Sequence, residues 1–408
     1  MSKAKRILVI GGKKKNLEKA KSLGLEVLYI QKKSLFLESH LEMADKVFLF
    51  DFEDSEVLLP LSKAIHAVFP FDYVISMTEV GLVPAARIRD ALGLVGNSLT
   101  TVQLLKDKGL MRERLNSVGV SPVAAMRGVL QQDIMAFAEK YGYPMIIKPI
   151  DGAGSFGIFM IHDEAEVQRV WEEIQTLGVG EFLIEEYLEG PEISVESFSF
   201  DGRHRVIAMT DKSIQSNFVE VGHSVPAQMS EEQYTLVEQM VVAFLTAVDF
   251  QIGPSHTEAK LTPRGPRIVE SHNRVGGDKI SELVEIAYGI DMVKMALGWP
   301  FGLVEEIAGH LTEIAGASIR FLTPEPGIVQ QIEGIAEVKT HSAVHDLVVD
   351  VQVGSEVRPV KHSLDRAGYL LVKGKNVHEA IKKKRGIVGA AADCHDSDGG
   401  KYMCVMYC

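Results

Sequence analysis

Cysteine is nearly missing from this chain, and the little it has lies at one end. The 408 residues contain three cysteines, Cys394, Cys404 and Cys408. A disulfide framework therefore cannot hold the main body of the fold, which favours a cytoplasmic protein. The C-terminal residues could form either a metal-binding tail or a disordered one. The spacing of the three cysteines is a poor match to a zinc site, so we expect a flexible tail over residues 391–408.

Long apolar runs and an excess of positive charge are missing as well. No uninterrupted apolar stretch approaches the roughly 18 residues of a membrane-spanning helix. The first residues, MSKAKRILVIGG, are unlike a signal peptide because the apolar run ILVI is short. The net charge of −12 argues against unaided binding to nucleic acid or to an anionic membrane. We expect small-molecule ligands, with any anion held by a local group of cations or by a metal.

The chain is long enough for two or three domains. Short apolar strands such as RILVI (6–10) alternate with helical patterns near the N-terminus, which predicts an α/β domain with a parallel sheet. Residues 101–116 are predicted to be helical, and later strands follow one another in α+β fashion. The predicted division is an N-terminal α/β domain (1–100), a central domain (101–310) with subdomains at about 120–187 and 188–310, and a C-terminal α+β lobe (311–390).

The stretch IKPIDGAGSFGI (147–158) lies between two predicted strands. Lys148 stands before the glycines, whereas in a P-loop the lysine follows the last glycine and a helix follows the loop. We therefore predict a β-hairpin whose tip carries Gly152, Gly154 and Gly157. Backbone N–H groups can approach an anion closely there because no Cβ intervenes, and Lys148 adds a charge from the strand. A flexible hairpin with a surface lysine is the alternative.

Two further segments carry carboxylates in a pattern typical of a nucleotide site. EEYLEGPE contains Glu185, Glu186 and Glu192, at a strand end where carboxylates can accept ribose hydroxyls. HTEAKL and RIVESHNR place Glu258 and Glu270 on two strands joined by the turn TPRG. Carboxylates side by side repel each other unless a cation lies between them, so we predict a magnesium site. The alternative is a pair that faces solvent.

In this order the motifs resemble the ATP-grasp superfamily, over about residues 5–380. The resemblance implies an ATP-grasp fold with an N-terminal preATP-grasp domain and a small C-terminal lobe. It also implies magnesium, with manganese as an alternative ion, held by Glu258, Glu270 and Asn273. Many members have asparagine where this chain has His272, so the metal role of Asn273 is open. The ATP-binding residues implied are Lys108, Lys148, Gly152, Gly154, Ser155, Gly157, Glu185, Glu186, Leu188 and Glu192.

Within the superfamily, the chain is similar to the L-amino acid ligases, the dipeptide-forming enzymes of the bacilysin type. The segments SMTEVGL, FVEVGHSVP and ESHNR carry this likeness. It implies catalytic roles for Arg274 and His223, with His223 helping to hold the γ-phosphate or the glycine loop. A carboxylate suits an α-ammonium group, and an arginine suits an acyl phosphate or a carboxylate. The amino-acid site implied by the likeness is lined by Glu79, Glu220, Arg274, Gly276 and Gly277.

The implied function is an ATP-dependent carboxylate–amine ligase that joins two L-amino acids through an acyl phosphate and releases ADP and phosphate. A homodimer is implied as well. One alternative is another ATP-grasp ligase or carboxylase, of the purine-pathway or biotin-carboxylase kind. A nucleotide-binding regulatory module without turnover is a third hypothesis. The sequence leaves open which amino acids are joined and which group deprotonates the incoming amine.

Overall fold

The structure is a computed structural model that describes residues 5–152, 154, 156–215, 217–392 and 403–404. Among these residues, no helix has the length and apolarity needed to cross a membrane. The α-helices are Lys14–Ser22 (α1), Ser55–Val68 (α2), Leu82–Leu92 (α3), Leu99–Lys106 (α4), Lys108–Val118 (α5), Gln131–Tyr141 (α6), Val167–Thr176 (α7), Glu231–Ala247 (α8), Ile280–Tyr288 (α9), Met292–Gly298 (α10), Ile335–Thr340 (α11) and Val377–Ala392 (α12).

The strands form three larger sheets and two short strand pairs. Their bounds are Arg6–Ile10 (β1), Glu26–Gln31 (β2), Lys46–Leu49 (β3), Tyr73–Ile75 (β4), Ala125–Gly128 (β5), Met145–Pro149 (β6), Phe159–Ile161 (β7), Phe182–Glu186 (β8), Glu192–Phe200 (β9), Arg203–Ile214 (β10), Glu220–Val225 (β11), Gly253–Thr262 (β12), Gly265–His272 (β13), Gly316–Phe321 (β14), Gly327–Ile328 (β15), Ile332–Glu333 (β16), Val344–Val349 (β17), Glu356–Val357 (β18), Gly368–Gly374 (β19) and Met403–Cys404 (β20).

The N-terminal sheet has the strand order β3-β2-β1-β4, and its neighbouring strands run parallel. Ile7 and Val9 of β1 point into one hydrophobic core, and Leu8 and Ile10 point into another. A strand that is buried on both faces needs apolar residues at successive positions, which explains the unbroken run RILVI. The predicted α/β start with a parallel sheet is confirmed.

The predicted glycine-rich hairpin is also confirmed. Strands β6 and β7 pair antiparallel, with Met145 opposite Ile161 and Ile147 opposite Phe159. They belong to a four-stranded sheet in the order β5-β8-β6-β7. Helices α6 and α7 pack on this sheet around a core whose described residues all lie between Ala124 and Ile184. The hairpin is therefore carried by a small unit with its own hydrophobic core.

An eight-stranded antiparallel sheet forms the centre of the molecule, in the order β13-β12-β9-β10-β11-β14-β19-β17. Strands β14, β17 and β19 come from the predicted C-terminal lobe. They continue the central sheet because β14 pairs along β11, with Ala317 opposite Val225. The C-terminal segment is thus fixed beside the strands that carry Glu220 and His223.

The predicted helix over residues 101–116 is in fact two helices, α4 and α5, separated at Asp107. Asp107 has an extended backbone, with φ −93° and ψ 105°, and its carboxylate accepts a hydrogen bond from the Leu110 N–H at 2.9 Å. Aspartate favours this capping position because its side chain satisfies an amide left free at the helix start. Lys108 therefore becomes the first residue of a new helix.

The predicted flexible tail, residues 391–408, lies largely outside the described residues, as do Cys394 and Cys408. Helix α12 continues to Ala392. Further along, Met403–Cys404 pairs in parallel with Ile332–Glu333.

Candidate active site

A cleft of about 300 Å³ lies between the glycine-rich hairpin and the central sheet. Most of the residues that the sequence singles out line this cleft, although they come from five separate stretches of chain. Those in its wall are Lys108, Lys148, Gly152, Gly154, Glu185, Glu186, Leu188, Glu192, Glu220, His223, Glu258, Glu270, Arg274 and Gly277. Gly157 packs on Pro149 at the base of the hairpin. Ser155 lies outside the described residues.

Lys148 is held in a buried ion pair. Its Nζ lies 2.5 Å from Glu185 Oε2, and Arg112 Nε lies 2.5 Å from the other oxygen of the same carboxylate. Burial raises the pKa of Glu185, but the charges of Arg112 and Lys148 outweigh it, and the pKa lies below its ordinary value. The resemblance implies that Glu185 binds ATP; in the structure its carboxylate orients Lys148 at the wall of the cleft.

Lys108 joins the hairpin to the carboxylate strands. As the first residue of α5 it donates from Nζ to the Gly152 carbonyl at 2.5 Å, and the same Nζ lies 2.9 Å from Glu270 Oε2. Burial lowers the pKa of Lys108, but the Glu270 charge outweighs it and raises the pKa. A cation is thereby fixed between the glycine loop and the predicted metal site.

Glu258 and Glu270 lie directly opposite each other on β12 and β13. Burial raises the pKa of Glu258, but Lys212 and His256 outweigh burial, and the pKa lies below its ordinary value. Burial also raises the pKa of Glu270, but the charge of Lys108 is the main cause that lowers it well below its ordinary value. Two ionised hard-oxygen donors facing one cleft fit magnesium, which commonly takes one or two protein carboxylates together with phosphate oxygens and water. Among the described residues, there is no group of three or more His, Cys, Asp or Glu side chains placed to hold a metal ion.

Asn273 is not brought to this pair, and its prediction as a metal ligand does not fit its placement. Its Oδ1 accepts a hydrogen bond from Asn97 Nδ2 at 3.0 Å, in a small cavity against the N-terminal domain. Asn273 follows His272, the last residue of β13, and lines this small cavity and not the cleft that holds Glu258 and Glu270. His272 lies on the same face as Glu270, with Nε2 3.2 Å from Glu270 Oε1.

Two histidines flank the carboxylates symmetrically. His256 and His272 are opposite each other in the strand register, with ring centroids 6.1 Å apart and planes inclined by 23°. His256 Nε2 lies 3.3 Å from Glu258 Oε1 and Nδ1 lies 2.8 Å from Glu196 Oε1. Burial lowers the pKa of His256, but Glu196 outweighs it and raises the pKa to about 9. The sequence carried a signal for this pair, because the segments HTE (256–258) and ESH (270–272) mirror each other across the turn. The sequence analysis used this symmetry for the glutamates and not for the histidines.

Glu79, predicted to bind an α-ammonium group, is surrounded by cations. Its carboxylate lies 2.9 Å from Arg274 Nε, 3.2 Å from Lys106 Nζ and 3.1 Å from His272 Nδ1. Burial raises the pKa of Glu79, but these neighbours, His272 first, lower it well below its usual range. Glu79 therefore ties the N-terminal domain to the end of β13 and orients Arg274.

Lys212 is a residue that our sequence interpretation missed. Its Nζ lies 2.7 Å from Glu192, 2.7 Å from Glu258 and 3.2 Å from Glu220, and its side chain is 1% exposed. Burial lowers the pKa of Lys212, but the three carboxylates outweigh it and raise the pKa well above the ordinary value. The available signal was a lysine within strand β10, shortly after its apolar run (206–209).

His223 and Gly277 line the cleft near Arg274. His223 is buried; its Nε2 lies 3.3 Å from Asp278 Oδ2, in the loop after β13, and its ring lies 5.8 Å from that of Phe321. A Cβ on Gly276 would lie 2.9 Å from His256 Nδ1 and 3.0 Å from Glu196 Oε2. The loop therefore packs directly on β9 and β12, and glycine is required for that approach.

Three family models match the chain, in the order that the fold suggests. An ATP-grasp N-terminal domain matches residues 17–96, and an ATP-grasp domain matches residues 141–282. An L-amino acid ligase C-terminal domain 2 matches residues 320–389. The chain therefore carries an ATP-grasp domain and an ATP-grasp N-terminal domain. Its ATP-grasp fold and its resemblance to L-amino acid ligases are therefore confirmed.

Curated relatives of this chain include two ligases. It is 28% identical over 268 residues to alanine–anticapsin ligase of Bacillus subtilis (strain 168), a match that covers 60% of this chain and 57% of that ligase. It is 26% identical over 277 residues to the L-arginine-specific L-amino acid ligase of Bacillus subtilis, covering 65% and 66%. The chain thus spans less than two thirds of the first of these relatives.

Solved structures resemble the chain over nearly its whole length. The crystal structure of an L-amino acid ligase from Bacillus licheniformis matches with a TM-score of 0.83 and 23% identity, covering 95% of this chain and 98% of that one. A phosphoribosylglycinamide synthetase from Anaerococcus prevotii matches with a TM-score of 0.72 and 20% identity, again covering 95% and 98%. At these identities the likeness establishes the fold.

Proposed function

We propose that this protein is an ATP-dependent ligase that joins two L-amino acids into a dipeptide. One observation carries the proposal. A single cleft combines two lysines beside a glycine-rich hairpin, a facing pair of ionised carboxylates and an arginine that is paired with Glu79. Those three parts are what activation of a carboxylic acid by ATP requires.

The nucleotide end of the cleft lies under the hairpin. Lys108 and Lys148 would neutralise phosphate oxygens, and the N–H groups around Gly152 and Gly154 would donate to them. Glu192, held by Lys212 and by Lys260 at 3.4 Å, would accept the ribose hydroxyls. Leu188 would contact the adenine.

The first chemical step is phosphoryl transfer. A carboxylate oxygen of the first amino acid attacks the γ-phosphorus of ATP, the bond to the β–γ bridging oxygen breaks, and ADP leaves with the electron pair. Magnesium held by Glu258 and Glu270 would supply charge neutralisation for the phosphate oxygens. Lys108 and Lys148 hold the phosphates in line and keep them from water when the hairpin lies over them.

The second step forms the peptide bond. The free amine of the second amino acid attacks the acyl carbon, the C–O bond to phosphate breaks, and inorganic phosphate leaves. Arg274, oriented by Glu79, would stabilise the oxyanion or the departing phosphate. Glu220 would bind an α-ammonium group. The base that takes the amine's proton stays unassigned.

The test is a pairwise screen with the twenty amino acids, ATP and magnesium, in which phosphate release and product masses are measured. We expect phosphate release and a dipeptide mass with at least one pair, and neither with Glu258→Gln. No dipeptide from any pair would refute the proposal. ATP turnover that depends on bicarbonate or formate would favour the other ATP-grasp ligases or carboxylases instead, and ATP binding without any product would favour a regulatory module.

We also propose that the protein is a homodimer. Light scattering of the purified chain would give twice the monomer mass of 44.9 kDa, and a monomer mass would refute this.

A further inference from the structure

The loop that follows β13 contains two neighbouring residues in the left-handed region. Asp278 has φ +48° and Lys279 has φ +65°, and neither is glycine. Such a conformation is strained for a non-glycine residue and persists only where contacts impose it. The loop also lines the cleft through Gly277 and Asp278, beside Arg274. Some group must therefore hold this segment of the wall in place.

Arg366 is that group. It lies 88 residues further along the chain, just before β19. Its Nη1 donates to Asp278 Oδ2 at 2.7 Å and its Nη2 donates to Asp278 Oδ1 at 2.6 Å. Two parallel bonds between a guanidinium and a carboxylate fix both distance and orientation, which a single contact cannot do.

Arg366 is itself fixed on its other sides. Nε donates to the Ser363 carbonyl at 2.6 Å, and Nη1 also donates to the Glu220 carbonyl at 3.2 Å. The guanidinium carbon lies 3.7 Å from the centre of the Phe321 ring, and the side chain is 10% exposed. A guanidinium stacked and bonded in this way is a rigid support, and not a mobile surface cation.

The support reaches two other parts of the cleft. Asp278 Oδ2 also lies 3.3 Å from Nε2 of His223, a residue predicted for the substrate site. Ser363, whose carbonyl holds Arg366, lines the cleft and lies against Gly154 of the hairpin. The C-terminal segment thus contacts the substrate loop and the tip of the glycine-rich hairpin at once.

We propose that Arg366 is a positioning residue for the amino-acid site, which holds Asp278 and Lys279 of the loop Gly276–Lys279 in the left-handed region. Loss of the arginine then loosens the substrate wall, while Lys108, Lys148 and Glu192 of the nucleotide end keep their own ion pairs. The positioning itself is independent of the reaction. Only the identity of the substrate as an amino acid rests on the proposed function.

Hydrogen–deuterium exchange tests the positioning directly. In Arg366→Ala we expect amide exchange in peptides covering residues 274–280 to be about tenfold faster than in the natural chain. Peptides covering Met145–Pro149 should be unchanged. Arg358→Ala is the matched control, because Arg358 lies in the same segment, is 75% exposed and pairs with Glu356. Loop exchange in Arg366→Ala equal to that in the control would overturn the inference.

Two further variants separate positioning from general damage. Arg366→Lys keeps the positive charge but loses the two parallel hydrogen bonds of the guanidinium, and residues 274–280 should show an intermediate exchange rate. Asp278→Asn keeps a residue that tolerates the left-handed region but loses the ion pair, and should exchange as fast as Arg366→Ala. If Arg366→Ala does not fold, Asp278→Asn decides, and unchanged exchange in that variant counts against the proposal.

Steady-state kinetics provide the second arm. With an amino-acid pair that the natural chain accepts, Arg366→Ala should raise the KM for amino acid about tenfold and change the KM for ATP less than twofold. Equal rises in both KM values, together with a lower Tm, would show a merely structural role and overturn the inference. If the natural chain accepts no pair, the proposed function fails, and the exchange experiment still decides the role of Arg366.

Discussion

Buried lysines neutralise the carboxylates of the cleft, and each lies within ion-pair distance of at least one of them. Lys148 is the simplest to test because its partner, Glu185, keeps a second cation in Arg112 when the lysine is removed. Lys148→Ala should lower kcat/KM for ATP about 100-fold, since a charge-assisted contact to a phosphate is lost from a water-poor site. ADP release measured against ATP concentration gives this value. Lys140→Ala, an exposed lysine on α6, should change nothing, and activity equal to that control would contradict the assignment of Lys148.

Lys384 lies far from the nucleotide residues in sequence and controls stability instead. Its Nζ donates to the Ile319 carbonyl at 3.3 Å, and burial, followed by Arg320 and Arg385, lowers its pKa to about 8. An unfolded lysine titrates near pH ~10.4, so between about pH 8 and 10.4 the unfolded state binds more protons than the folded one. The free energy of unfolding should therefore rise across that window, by on the order of 1–3 kcal/mol from this group.

Urea unfolding at pH 7.5 and pH 10 measures the effect of Lys384. In Lys384→Met, which keeps the apolar stem, the contribution of this group to the pH dependence should disappear. Lys383→Met is the control, because Lys383 is a neighbour that pairs with Glu379 at 2.7 Å and is 36% exposed. Equal pH dependence in the natural chain and in Lys384→Met would refute the prediction.

At the scale of elements, the break between α4 and α5 places Lys108 at the hairpin. Asp107 caps α5 and also accepts a hydrogen bond from Arg127 Nη2 at 2.6 Å. Asp107→Ala should lower the free energy of unfolding by about 1–2 kcal/mol and raise the KM for ATP, because the first turn that carries Lys108 loosens. Asp107→Asn keeps a good cap and loses the charge, so it should retain most of the stability. Urea unfolding and ATP kinetics on both variants check this, and equal losses in the two would contradict the capping role.

Local pattern predicted the elements well where the pattern alone decides the structure. The buried run RILVI, the hairpin around Gly154 and the pairing of Glu258 with Glu270 all follow from neighbours close in sequence. The split at Asp107 was missed because its side chain competes with the helix locally, which apolar periodicity does not register. Asn273 was implied as a metal ligand by its position in the motif, which does not register that the strand ends at His272 and that the Asn273 amide bonds with Asn97.

Contacts between distant segments could not be predicted in this way. Asp278 and Arg366 are 88 residues apart, and no spacing rule joins them. Lys212 meets carboxylates from three different strands, so its role depends on the order of strands in the sheet. Periodicity identifies a strand but leaves its lateral neighbours open, so the sequence predicts a C-terminal α+β lobe without indicating that its strands extend the central sheet.

At the scale of the whole molecule, the hydrophobic cores differ in how many parts of the fold they join. One core joins residues of the N-terminal sheet, the central sheet and helices α9 and α10, among them Ile7, Phe198 and Leu283. The described residues in the core of the hairpin-carrying unit all lie between Ala124 and Ile184. A unit with a separate core can open or shift without disrupting the rest.

We therefore expect residues 125–186 to exchange amide hydrogens with a lower opening free energy than β9 and β10 do. ATP with magnesium should slow exchange in this unit about tenfold or more, because a nucleotide bound as proposed would link it to the central sheet through Lys148 and Glu258. Hydrogen–deuterium exchange with and without nucleotide gives the comparison. Uniform protection of both regions without nucleotide would contradict an independent unit.

The pairing of β14 along β11 also determines how the chain can be divided. A shortened protein that ends before Gly316 would leave the backbone N–H and C=O groups of β11 without their neighbouring strand. An uncovered strand edge of mostly buried residues recruits other chains, so such a fragment would precipitate or form aggregates. A smaller nucleotide-binding module made from this protein must keep β14 and β19. A C-terminal segment that replaces the natural one must contain a strand that pairs with β11.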